Sequence, residues 1–188
     1  MKYFIATCLL SISILSCKET QEPLPEYGEV FIPYSYIDQN GNTIDASTVE
    51  NTNYVVDFFF THCPTICPVM SNNLAKVQEA YSGNENLKLI SFSIDPERDT
   101  IGRLKWYAEK MGADDNMWHL VRAEKQKIDS TSSIMKVYQE QDASAPGGFN
   151  HQGRFLLIDA TGMIRGSYDG TLDEDTEELI QDIQQLLD

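Results

Sequence analysis

The chain has 188 residues, 41% hydrophobic and 10% aromatic, with 29 acidic against 14 basic side chains. That length holds one domain whose core needs no disulfide support, and the apolar content excludes an intrinsically disordered chain. A formal net charge of −15 excludes a nucleic-acid binder or a reader of anionic lipid headgroups, because phosphates repel such a surface.

The amino end reads as an export signal. Lys2 is the positive start, Tyr3 to Leu15 is mostly apolar, and small Ser16 precedes Cys17. The apolar run falls short of the roughly 20 residues that span a bilayer. Ile14-Leu15-Ser16-Cys17 resembles the lipobox of bacterial lipoproteins, which implies removal of residues 1–16 and lipid on Cys17; an ordinary secretory signal cut nearby is the alternative. Residues 17–28 are then a lipidated start and a flexible, proline-bearing tether, followed by a domain over 29–188. Removing Cys8 with the signal and committing Cys17 to lipid leaves Cys63 and Cys67 as the free thiols of the exported domain.

Along the domain, Asn40-Gly41 between Tyr36-Ile37 and Thr43-Ile44 predicts a β-hairpin within 32–44. Tyr54 to Phe60 is an apolar run broken only by Asp57 and reads as a buried central strand. The cysteine motif follows at once, and then Leu74, Val77 and Tyr81 give helical spacing over 70–81. Leu87 to Ile94 alternates as a second strand. Asp99-Thr100 caps a helix to Met111 that Gly112 ends. Met117 to Val121 predicts a strand, Lys125 to Tyr138 a helix, and Asp142 to Asn150 a flexible loop. Phe155 to Asp159 and Met163 to Tyr168 flank Ala160-Thr161-Gly162 as a hairpin, and Asp173 to Leu187 is an amphipathic closing helix. Thiols at the first strand-to-helix junction of such an order describe an α/β, thioredoxin-like sandwich: a mixed central sheet flanked by helices, with an added β-hairpin near the N-terminus.

The stretch THCPTICPVM, residues 61–70, carries the chemistry. Pro68 fits the first helical position, which makes Cys67 the N-cap; a start at Pro64 puts the cysteines at i and i+4. Either way both sulfurs face one space, near helix N–H groups that favour thiolate. Three readings compete. A static disulfide closes too short a loop to constrain the unfolded chain much. A thiol–disulfide exchanger of the thioredoxin type usually has two intervening residues, and this motif has three. A metal clamp needs a third ligand.

The chain has three histidines. His62 neighbours Cys63, but adjacent residues at a strand end point apart. His119 looks like an interior or edge-strand residue. His151 follows Pro146-Gly147-Gly148 at a junction that can fold back over the first helix. Two thiolates and one imidazole are one ligand short of structural zinc, and an open zinc site would need catalytic machinery that the sequence does not display. Copper(I) is soft and prefers thiolate, and copper(II) accepts imidazole with thiolate.

Together these residues resemble the Sco/SenC family, copper-binding assembly proteins of cytochrome c oxidase. The matching blocks are Thr61-His62-Cys63-Pro64 with Cys67-Pro68, Ser93-Ile94-Asp95-Pro96-Glu97-Arg98-Asp99-Thr100, His151, and Phe155 to Asp159 with Gly162. They occur in family order over residues 31–187. The resemblance implies one copper ion, Cu(I) or Cu(II), held by Cys63, Cys67 and His151, with the two cysteines also able to form a disulfide. It implies a lipid-anchored domain on the periplasmic side of a bacterial envelope. Its partner would be cytochrome c oxidase subunit II or another copper-accepting protein, to which it delivers copper or whose thiols it keeps reduced. Asp95 is the candidate for orienting a ligand or receiving a partner. Phe59, Thr65 and Asn150-His151-Gln152 depart from the usual glycine, aspartate and Asp-His-Ser, changing the surroundings of the ligands and not the ligands themselves. An exported thiol–disulfide reductase, acting on cysteine pairs of client proteins, is the rival from the enzyme class.

Overall fold

The computed structural model describes residues 22–188; the expected export signal and Cys17 lie outside the described residues. In chain order, the hairpin β1 (Tyr36–Ile37) and β2 (Thr43–Ile44) precedes the buried strand β3 (Asn53–Phe59) and helix α1 (Ile66–Ala80). Then come β4 (Leu87–Ser93), α2 (Ile101–Met111), β5 (Trp118–Val121) and α3 (Lys125–Ile134). A polar ribbon, β6 (Gln139–Gln141) and β7 (Phe149–His151), leads to β8 (Arg154–Ile158), β9 (Ile164–Asp169) and α4 (Asp173–Leu187).

Five strands form the central sheet in the order β5-β4-β3-β8-β9. β3, β4 and β5 run parallel, β8 returns antiparallel on β3, and β9 is antiparallel to β8. This is the expected mixed sheet flanked by helices, with the added hairpin near the N-terminus. Strand β3 is buried along its whole length, as a strand with both faces covered must be. Its side chains alternate between two layers. Phe58 stacks on Phe92, which meets the hairpin's Tyr36, while Phe59 faces Tyr107 of α2. The hairpin turn is organised by Asp38, whose carboxylate accepts from the Asn40 and Asn42 N–H groups, with Gly41 at φ +85°. Ile37 and Arg122 then exchange backbone bonds of 3.0 and 2.9 Å, which stitches the hairpin to the end of β5.

Helix α2 has the expected boundaries: the Thr100 hydroxyl accepts from the Arg103 N–H, and Gly112 closes the helix at φ +67°. Three elements differ from expectation. Helix α1 starts at Ile66 with Thr65 as N-cap, so Cys67 is its second residue and Pro68 its third. A proline is tolerated there because the first-turn N–H groups have no partner inside the helix. Helix α3 stops at Ile134, and Lys136 turns the chain at φ +56°. The stretch read as a loop over 142–150 holds a 3-10 turn at Pro146–Gly148 and most of β7, whose register pairs Gln139 with His151.

Residues 22–28, read as tether from the sequence, lie along the domain. The Tyr27 N–H donates to the Ile164 carbonyl at 2.9 Å, Arg165 reaches the Leu24 carbonyl at 2.6 Å, and Gln185 reaches that of Glu22 at 2.6 Å. Among the described residues no helix is long and apolar enough to cross a membrane.

Candidate metal centre

The end of β3 and the start of α1 position the sulfurs. After Phe59 the chain turns sharply, the Cys63 N–H donating to the Phe60 carbonyl at 3.2 Å. Cys67 is fully buried and Cys63 nearly so, and both are free thiols. The ribbon brings His151 to them across 84 residues of sequence, with its Nε2 3.5 Å from the Cys67 sulfur. One ligand atom from each of Cys63, Cys67 and His151 lies within 4.8 Å of the other two. Metal–thiolate bonds run to about 2.3 Å, so one ion between the sulfurs reaches both with little adjustment. The mouth of the site is a cavity of about 120 Å³ lined by Cys63, Thr65, Ile66, Pro146, Phe149 and His151. Small-molecule pockets usually need about 300–1,000 Å³, so this one suits an ion.

Electrostatics divide the two thiols. A hydrogen bond from the Cys67 thiol to the Cys63 sulfur holds Cys63 well below the ordinary thiol range, against the cost of burial, with His151 and the Cys67 N–H assisting. The same contact, together with burial, pushes Cys67 up. The two thiols thus differ in acidity, Cys63 being the more acidic of the pair. His151 Nδ1 is buried with no hydrogen-bond partner among the described residues. The ring meets Cys67 through Nε2. Two soft sulfurs and one imidazole, largely shielded from water, match what thiophilic metals select.

The other sequence candidates fall elsewhere. His119 lies on β5 beside Asp38, at 3.4 Å, outside the sulfur cluster. His62 forms a second group with Asp95 and Asp99, but those carboxylates are already engaged. Asp99 accepts from the Thr61 N–H at 3.1 Å and from the hydroxyls of Thr61 and Ser93, each at 2.6 Å. Asp95 is ion-paired with Arg98. Burial raises the Asp95 carboxyl, and the guanidinium opposes that shift.

Two residues near the centre escape a reading by motif. Asp57 is buried in mid-β3, where it accepts from the Ser91 hydroxyl, itself hydrogen-bonded by Trp118 Nε1 at 2.9 Å. Burial pushes its carboxyl up to about 7, against that hydrogen bond and the attraction of His151. The break it makes in an apolar run was the signal. Phe60 carries the other side of the site: its ring packs on Phe149 at 5.2 Å and edge-on to His151 at 5.6 Å. Gly147 rests against that ring at φ +76°, and a β-carbon there would come within 2.6 Å of it.

Comparison with known proteins agrees with this geometry. The SCO1/SenC family profile matches residues 23–188. The SCO1 protein homolog of Bacillus subtilis is 26% identical over 159 residues, covering 81% of this chain and 80% of that protein. A SCO1/SenC family lipoprotein from Bacillus anthracis superposes with a TM-score of 0.81 at 26% identity, over 89% of this chain and 100% of the other. Bradyrhizobium japonicum ScoI, solved with copper bound, shares the fold with a TM-score of 0.71 at 22% identity, over 84% of this chain and 99% of its own. The chain belongs to the SCO1/SenC family.

Proposed function

We propose that the protein is a membrane-anchored copper chaperone. It binds one copper ion through Cys63, Cys67 and His151 and delivers it to the copper A site of cytochrome c oxidase subunit II, or to another copper-accepting protein. The observation that carries this reading is the convergence of two sulfurs and one imidazole nitrogen within 4.8 Å. Family membership and the copper-bound relative support the choice of metal. Copper is cargo here. The two sulfurs and the imidazole grip it in place of water, and an acceptor with more ligands takes it by replacing them one at a time. Lipidation at Cys17 would hold the domain on the periplasmic side of its membrane; the Ile14–Cys17 pattern and the lipoprotein relative support that placement.

The free thiols, of which Cys63 is the more acidic, favour a second reading, reduction of a client's disulfide. In that reaction the Cys63 thiolate attacks one client sulfur, and Cys67 then closes a Cys63–Cys67 disulfide, releasing the client dithiol with two electrons transferred. A titration of the reduced chain with Cu(I), against a competing chelator, separates the two. One ion per chain, bound in a thiol-dependent way, is expected. Reduction of client disulfides without measurable copper binding would leave the reductase reading alone.

A further inference from the structure

His151 is fixed unevenly. On its carboxyl side the chain enters the central sheet within three residues, and the Gly170 N–H donates to the Gly153 carbonyl at 2.7 Å. His151 is itself the last residue of β7, which pairs only with the three-residue β6, and on its amino side lies the turn at Pro146–Gly148. Two-stranded ribbons of this size are marginal without support. The support comes from the strand bearing neither sulfur. Arg98, in the turn after β4, bonds the Asp95 carboxylate through Nε and the Gly147 carbonyl through Nη2 at 2.6 Å. Its guanidinium also lies over the rings of Phe60 and Phe149, at 6.0 and 5.9 Å. One planar group therefore ties a buried carboxylate, the turn before His151 and the ring against which the imidazole packs.

We propose that Arg98 is a positioning residue: it clasps the Pro146–Gly148 turn to Asp95 and so holds the His151 imidazole at the sulfur pair. This rests on the copper-site reading for its consequence, and on the fork's geometry for its mechanism. Arginine suits the role because its donors are splayed in a plane, whereas the lysine ammonium is a point charge. The clasp acts on the imidazole and leaves the thiols alone.

The test measures Cu(I) affinity of the reduced full chain for wild type, Arg98→Ala, Arg98→Lys, His151→Ala and the Arg98→Ala/His151→Ala pair. Arg98→Ala is expected to weaken binding about tenfold, the lower end for groups that orient a ligand. Arg98→Lys is expected to behave likewise, because one ammonium cannot bridge Asp95 and Gly147 in the same way. In the His151→Ala background the loss of Arg98 is expected to cost nothing more. Full rescue by lysine, or an equal loss in both backgrounds, overturns the clasp and makes Arg98 a bare positive charge acting on the sulfurs. Amide hydrogen exchange of the metal-free chain supplies a readout independent of copper. Arg98→Ala is expected to speed exchange over residues 142–151 while β3 and β4 stay protected, and unchanged exchange there overturns the proposal. A wild type that binds no copper sinks the chaperone reading by itself and leaves this arm intact. Should Arg98→Ala fail to fold, Asp95→Asn opens the clasp from its other end and carries the same expectations.

Discussion

The sulfur-bearing and imidazole-bearing sides of the centre are built to different standards. Cys63 and Cys67 stand where a fully buried central strand meets a 15-residue helix, so their geometry is inherited from the core. His151 ends a three-residue strand outside the central sheet and rests on Phe60 and a glycine turn. A close-packed core has few alternative arrangements, while a peripheral ribbon opens at low cost. The sulfurs thus form a platform positioned by the core, while the imidazole takes its position from a peripheral ribbon that must be tied down.

The platform is broken most simply by Cys63→Ala or Cys67→Ala, each leaving one sulfur. Cu(I) affinity should drop by on the order of 10⁴-fold or more, read by chelator competition; retained binding in both variants would mean that the metal sits elsewhere. His151→Ala should lower affinity by on the order of 100-fold, with thiol content by a colorimetric thiol assay unchanged. Parity between the cysteine and histidine variants would erase the contrast drawn here. Gly147→Ala probes the ribbon's seat. Its positive φ and the approach to Phe60 should cost about 1–3 kcal/mol in stability. Copper binding should weaken while β3 keeps its amide protection.

The smallest expected effect tests the platform's underside through pH. Asp57 has a folded pKa raised to about 7 from an ordinary value of 3.8. The folded chain thus binds its proton more tightly than the unfolded chain does. The sign follows: unfolding free energy falls as pH rises from about 4 to about 7, then levels off. Asp57→Asn should flatten that part of the curve, gaining on the order of 1–2 kcal/mol at pH 8 over the wild type in chemical denaturation. An identical pH profile in both proteins would show that Asp57 is not the titrating group.

Those contrasts also mark what was legible in the sequence. The run before the motif announced a buried strand, and Thr100 and Gly112 bracketed α2, because caps and continuous apolar runs are local signals. Pro68 could not fix the start of α1, since any position in the first turn tolerates a residue without an N–H. The ribbon was invisible: Gln139, Glu140 and Gln141 are polar and partly or fully exposed, so no alternation marks them as a strand. His151 was placed at the sulfurs by family likeness and by no local pattern, because a contact across 84 residues is written in tertiary packing. Arg98 stands in the same family block as Asp95, and nothing in that block marks it as a clasp. Its two hydrogen bonds join turns 49 residues apart, which nothing local foretells.

The amino-terminal stretch laid on β9 has a geometric consequence. Strands β3 and β9 point the same way, both opposing β8, so Ile164 and Arg165 mark the pole opposite the one where β3 delivers its cysteines. The stretch is pinned at that far pole. With lipid on Cys17, as proposed above, four residues separate it from Glu22, a reach of at most about 18 Å. A domain moored so closely by its base would keep its back to the bilayer and turn its cargo outward, toward acceptors that stand well clear of the lipid surface.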